Sequence, residues 1–151
     1  MKMLNQVKIT FAGRSVNESF ARAALAAFLV QLDPTVPQLA DIKTAVSEAV
    51  TNAVIPGYEN EVKSIYIRCR TEGKTLYLEI EDKGKGIEDV KQAMEPLFTT
   101  KPELDRSGMG FSFMEAFMDR LEVTSVPGQG TVVKMQKTIG EGRKLWTTQS
   151  L

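Results

Sequence analysis

Residues 37–57 read PQLADIKTAVSEAVTNAVIPG. Ile42, Ala45, Val46, Ala49, Val50 and Ala53 recur at helical spacing and form one apolar stripe, which predicts a helix facing a core. Pro37 suits its first turn, where the missing N–H has no intrahelical acceptor in any case. Pro56 predicts the end, because proline disfavours helical backbone at the residue before it and leaves the carbonyl four residues back unbonded; Gly57 reinforces the stop. Upstream, Val7, Ile9 and Phe11 alternate with Lys8 and Thr10 as in a half-buried strand. Ser15 followed by Glu18 has the form of a capping box, and the alanine-rich stretch through Phe20, Ala24, Ala27 and Phe28 continues as a helix toward Leu32, where Asp33 and Pro34 break it.

Downstream, Ile65, Ile67 and Cys69 give one face of a strand, residues 71–74 a turn containing Gly73, and Leu76, Leu78 and Ile80 the matching face of a second strand. Residues 82–106 are rich in glycine, proline and charge, with only 88–93 helix-compatible, and read as a long, partly mobile, functional loop. Residues 110–118 read as a helix, and 121–126 and 131–136 as strands joined by a turn at 127–130. The order β-α-α-β-β-long loop-α-β-β predicts an α+β fold. It is a two-layer α/β sandwich with a mixed, mostly antiparallel sheet and helices on one face. The domain is expected over residues 1–138, with a C-terminal tail over 139–151 that includes Trp146.

A chain of 151 residues with 42% hydrophobic and 25% charged residues fits one soluble globular domain with a core of its own. Lys plus Arg equals Asp plus Glu at 19 each, so no net charge points to nucleic acid or a membrane surface. The single cysteine excludes an internal disulfide or a CxxC motif, and the absence of histidine removes that residue as base, phospho-acceptor or metal ligand. With no apolar run of membrane-spanning length and no signal-peptide pattern at the start, the chain is expected to be cytoplasmic.

Three short motifs offer chemistry. In Asp82-Lys83-Gly84-Lys85-Gly86-Ile87 a carboxylate stands at a strand end and glycines let backbone approach a ligand. Such a carboxylate could accept the amino group of adenine, although alone the motif is an ordinary turn. It is neither an EF-hand nor a Walker A loop. Ser107-Gly108-Met109-Gly110 precedes a helix, where exposed N–H groups and the helix dipole favour an anion; the plain alternative is a helix-start turn. Glu48 and Asn52, one turn apart, lie beside the apolar stripe of their helix. They supply a proton acceptor and a hard oxygen suited to Mg²⁺, or simply a polar shoulder.

Together the three resemble a known family. Glu48-Ala49-Val50-Thr51-Asn52-Ala53 resembles the N box of GHKL ATPases, the Asp82 segment their first glycine box, and the Ser107 segment their second, all in the family's order and spacing. Asn17-Glu18-Ser19-Phe20-Ala21-Arg22, Pro96-Leu97-Phe98-Thr99-Thr100-Lys101-Pro102-Glu103-Leu104 and Arg106-Ser107-Gly108-Met109-Gly110-Phe111 are similar to the anti-sigma factor branch of that family in spore-forming bacteria, whose members are serine-protein kinases. The resemblance spans roughly residues 5–138.

It implies an ATP or ADP site with Mg²⁺. Glu48 would be the general base, Asn52 the metal ligand and Asp82 the adenine contact, with Thr131 beside it and Gly84 and Gly86 shaping the pocket. Thr99, Thr100, Lys101, Ser107, Gly108, Met109 and Gly110 would meet the nucleotide, and Lys101 and Arg106 are candidates to neutralise the γ-phosphate; their plain alternative is solvated loop cations. Implied partners are a sporulation sigma factor, the anti-anti-sigma factor as phosphorylation substrate, and a second copy in a homodimer. Glu18 and Arg22 could belong to a partner surface or form an intrahelical ion pair. One departure stands out: the family usually has histidine where this chain reads Ile55-Pro56-Gly57-Tyr58, which bears on catalytic rate more than on nucleotide binding. The rival expectation is therefore a nucleotide-gated sigma-binding module with little or no kinase activity. A detached sensor histidine kinase half would want a phospho-accepting histidine, and a DNA-handling GHKL fragment a transducer domain.

Overall fold

A computed structural model describes residues 4–54, 62–95 and 110–140. Helix α2 (Val36–Val54) buries all six residues of its expected stripe. Its start is set by a reciprocal cap not anticipated from the sequence. Gln38 N donates to Thr35 Oγ1 at 3.2 Å, while Thr35 N donates to Gln38 Oε1 at 3.0 Å, the Thr-x-x-Gln form of a capping box. Ahead of it lies α1 (Glu18–Leu29), which buries Ala21, Leu25 and Leu29. The box expected at Ser15 is replaced by a 3-10 turn over Ser15–Asn17, so the helix proper begins at Glu18 and the Glu18 carboxylate accepts from Thr51 Oγ1 at 2.8 Å. The far end of α1 tightens into a 3-10 turn over Val30–Leu32, closed by Asp33 at φ 50° and by Lys74 Nζ donating to the Leu32 carbonyl at 2.8 Å.

Among the described residues, five strands, β1 (Leu4–Ala12), β2 (Ser64–Glu72), β3 (Thr75–Asp82), β4 (Arg120–Val126) and β5 (Gly130–Thr138), form one sheet in the order β1-β2-β3-β5-β4 with every pairing antiparallel. Glu72 pairs with Thr75, so the turn shrinks to Gly73-Lys74, with Gly73 at φ 62°, and Thr71 is a buried strand residue. β5 lies inside β4 and sets Thr131 opposite Asp82. That pairing brings two sequence-distant residues to one strand end.

The inward residues Ile65, Ile67, Cys69, Leu76, Leu78, Ile80, Val133 and Met135 share one apolar cluster with the buried residues of α1, α2 and α4 (Gly110–Phe117), which is the expected two-layer sandwich. Edge strand β1 departs from regular alternation: Val7 is 38% exposed, and of its residues only Phe11 is buried, meeting Phe20 of α1 edge-on at 6.5 Å. An edge strand is covered only where a helix overhangs it. Ile139, just past the expected domain end, is buried and donates its N–H to the Lys74 carbonyl at 2.9 Å. The short α3 (Val90–Ala93) is capped by Asp89, whose Oδ1 accepts from Gln92 N at 3.0 Å, and falls within the helix-compatible part of the long segment.

Candidate nucleotide site

Asp82 ends β3, and its Oδ1 accepts from Gly84 N at 2.9 Å. Burial pushes its carboxyl up to about 6, against the backbone N–H groups of Gly84 and Thr131, which hold it down. A carboxylate that is hard to bury but already ordered by two backbone donors can complete its shell with a donor from a ligand, such as the amino group of adenine. Gly86 has φ 78°, and a Cβ there would strike the Val126 carbonyl; Gly128 N donates to the Lys85 carbonyl at 2.6 Å. The glycine segment is thus sewn to the β4–β5 turn.

Ser125 makes the seam and was not singled out from the sequence. Its Oγ accepts from Ile87 N at 2.7 Å and lies 3.0 Å from the Gly130 carbonyl and 2.9 Å from Thr131 Oγ1. The available signal was a hydroxyl at the third inward position of a strand whose earlier inward residues are Leu121 and Val123.

Glu48 and Asn52 project from α2 toward the start of α4. A Cβ built on Gly110 would stand 3.0 Å from Asn52 Nδ2, 3.4 Å from Asn52 Oδ1 and 3.4 Å from Glu48 Oε2. With glycine here the described start of α4 approaches the carboxylate and the amide closely, and a larger residue would displace the Asn52 amide by a few tenths of an ångström. A carboxylate, a carboxamide oxygen and the described start of α4 thereby converge, which suits a proton acceptor and a hard-cation ligand.

Among the described residues no group of three or more Cys, His, Asp or Glu could hold a metal unaided. Asn52 Oδ1 is a hard oxygen in an approachable place and fits Mg²⁺ that takes its other ligands from phosphates and water. Glu48, Asn52 and Gly110 come together; Asp82, Gly84, Gly86 and Thr131 form the second group; and α2 contacts both α4 and β3. The expected contributions of Thr99, Thr100, Lys101, Arg106, Ser107, Gly108 and Met109, and the Pro56 departure, lie outside the described residues. A groove over the other face of the sheet, lined by Lys8, Arg68, Tyr77, Glu79, Arg120 and Lys134, is of mixed charge, with Arg68 paired to Glu79 at 3.0 Å and Glu81 at 2.9 Å.

The sheet order, the half-buried Asp82 between glycine and threonine, and the Glu48–Asn52–Gly110 convergence define an ATPase domain of the histidine kinase type, and residues 12–137 match the histidine kinase-like ATPase domain family. The chain is 54% identical over 143 residues to the anti-sigma F factor of Thermoanaerobacter sp. (strain X514), covering 95% of this chain and 100% of that protein. It is 53% identical over 144 residues to the anti-sigma F factor of Anoxybacillus flavithermus, covering 95% and 99%. The chain belongs to the anti-sigma F factor family of histidine kinase-like ATPase domains. The crystal structure of the RsbU and RsbW domains of a Mycobacterium tuberculosis protein superposes with a TM-score of 0.65 at 19% identity, over 89% of this chain and 32% of that one. The blue-light activated histidine kinase of Erythrobacter litoralis superposes with a TM-score of 0.56 at 21% identity, over 74% of this chain and 34% of that one, and shares the fold. No helix among the described residues is long and apolar enough to cross a membrane.

Proposed function

We propose that the chain is a cytoplasmic, ATP-dependent anti-sigma factor that is also a protein serine kinase. With nucleotide and Mg²⁺ bound it holds a sporulation sigma factor, and it phosphorylates a serine of the anti-anti-sigma factor that would release that sigma. A homodimer is part of this reading. The observation that carries the phosphotransfer part is the approach of Gly110 to both Asn52 and Glu48, which sets a base and a hard ligand beside the described start of α4; the similarity to anti-sigma F factors supports the sigma-binding part.

In this reading Asp82 holds the adenine amino group, Thr131 supports it, and Gly84 and Gly86 shape the wall. Asn52 holds Mg²⁺, which when bound neutralises phosphate charge. Glu48 takes the proton from the serine hydroxyl as its oxygen bonds the γ-phosphorus and the bond to the bridging oxygen breaks, releasing ADP. Thr99, Thr100, Ser107, Gly108, Met109 and the start of α4 at Gly110 hold the phosphates, while Lys101 and Arg106 offset charge on the transferring group.

The test uses γ-labelled ATP and Mg²⁺ with and without an anti-anti-sigma protein, comparing wild type with Glu48→Gln and Asp82→Asn. Label on a partner serine, lost in Glu48→Gln while ATP binding survives, is the expected result. Wild type that binds ATP and the sigma factor but never transfers label would overturn the kinase assignment and leave a nucleotide-gated sigma-binding module.

A further inference from the structure

Helix α1 is fastened to α2 by polar contacts in matching register with the site. Glu18 and Arg22 are one turn apart on α1; Ser47 and Thr51 are one turn apart on α2. Thr51 Oγ1 donates to Glu18 Oε1 at 2.8 Å, and Arg22 Nη1 reaches Ser47 Oγ at 3.4 Å. Ser47 immediately precedes Glu48, and Thr51 immediately precedes Asn52. The α1-facing pair and the site-facing pair are therefore adjacent stripes of one helix, so a rotation of α2 that breaks the first displaces the second.

Packing alone does not call for this arrangement. Glu18 is 4% exposed and Thr51 7%, in a neighbourhood where Ala21, Leu25 and Val50 are apolar. Burying a carboxylate is costly, and its bond to a buried hydroxyl is strongly directional in compensation. At this point α2 packs closely on α4, where a Cβ on Gly110 would stand 3.0 Å from Asn52 Nδ2.

We propose that Glu18 is a positioning residue: through Thr51 it fixes the rotation of α2 that presents Asn52 and Glu48 to the phosphate end of the nucleotide site. This rests on the nucleotide-site reading above and adds to it a residue whose side chain bonds the helix away from the reacting groups. The consequence is selective. Adenine binding at Asp82, on β3, does not depend on the clasp, whereas Mg²⁺-assisted phosphate binding does.

The experiment measures ATP affinity by titration calorimetry with and without Mg²⁺ for wild type, Thr51→Val and Thr51→Ser, with a melting curve for each. Thr51→Val keeps the shape and removes the donor, which frees α2 to turn and carries Asn52 and Glu48 with it. The expected result is a fall of roughly tenfold in the gain that Mg²⁺ gives to ATP binding, with metal-free affinity within about twofold of wild type and the gain restored by Thr51→Ser. Should Thr51→Val fail to fold, Glu18→Gln serves as the second variant, a neutral acceptor replacing the charged one, with an expected fall of about threefold. An unchanged Mg²⁺ gain in a folded variant, or an equal loss with and without Mg²⁺, overturns the positioning role alone. Wild type that binds no ATP overturns the functional reading and this inference with it.

Discussion

Gly110 and Asn52 come so close that a single methyl group on the glycine would sit 3.0 Å from the asparagine Nδ2. Gly110 is the first described residue of α4 and does not have positive φ, so alanine is acceptable to its backbone. Gly110→Ala is expected to fold with stability equal to wild type or higher by up to about 1 kcal/mol, since alanine favours helix. It is also expected to lower Mg²⁺·ATP affinity roughly tenfold by displacing Asn52, a loss of about 1.4 kcal/mol. Denaturant titration and calorimetry on the same sample separate the two effects. A variant that binds Mg²⁺·ATP as well as wild type would remove Asn52 from the site.

Asp82 gives the site a pH signature. Its carboxyl is raised by burial from 3.8 to about 6, so the folded chain keeps a proton that the unfolded chain releases between those values. The associated stability is fully present below about 3.8 and is lost as pH rises through about 6. Asp82→Asn is therefore expected to raise the melting temperature at pH 7.5, with the difference shrinking toward pH 4. A donor amino group prefers the ionised carboxylate, so ATP affinity is expected to rise with pH through about 6 and level off above it. Titrations at pH 5.5 and 7.5 check this; affinity independent of pH in that range would exclude Asp82 as the adenine contact.

The α2 stripe and the 65–80 hairpin were legible because burial repeats with the period of the element, so composition at each position reports the face directly. Ser15 misled because a serine three residues before a glutamate looks the same whether that glutamate caps its own helix or is bonded to a residue of another, as Glu18 is to Thr51. The glycines of 84–86 were recognisable as a motif, but what they approach, the β4–β5 turn, depends on β5 entering the sheet between β3 and β4. Local sequence does not encode that insertion. Nor does it encode the meeting of Gly110 with Asn52, which comes from the packing of α4 on α2.

Ser125 should matter to both stability and binding. Its hydroxyl accepts the Ile87 N–H at 2.7 Å and sits 2.9 Å from Thr131 Oγ1, so Ser125→Ala leaves a half-buried donor without its acceptor and loosens Thr131. The expected cost is about 1–2 kcal/mol in urea unfolding, the range for an orphaned polar group. ATP affinity is expected to fall several-fold with the Mg²⁺ gain intact, because in the proposed site the seam serves the adenine end. Ser125→Thr, if accommodated, restores the acceptor and serves as the control.

The glycines of the β4–β5 turn and the segment sewn to it form a graded series. Gly86, Gly128 and Gly130 all have positive φ, at 78°, 81° and 110°. They differ in what a side chain would meet. At Gly128 a Cβ finds open space, so Gly128→Ala carries only the backbone penalty of about 1 kcal/mol for a left-handed residue. At Gly86 the Cβ would strike the Val126 carbonyl, and at Gly130 the Asp82 carbonyl, both backbone atoms that cannot swing aside. Gly86→Ala and Gly130→Ala are each expected to cost about 2–4 kcal/mol or more, combining the backbone penalty with a steric one. Gly130→Ala has the further consequence of forcing β5 away from β3 at the Asp82–Thr131 pair. Urea unfolding of the three variants should rank Gly128→Ala as mildest, and nucleotide binding should fail first in Gly130→Ala. If Gly128→Ala proved as damaging as Gly130→Ala, backbone conformation alone would govern this turn, and the close packing against Asp82 would have no part in holding the site.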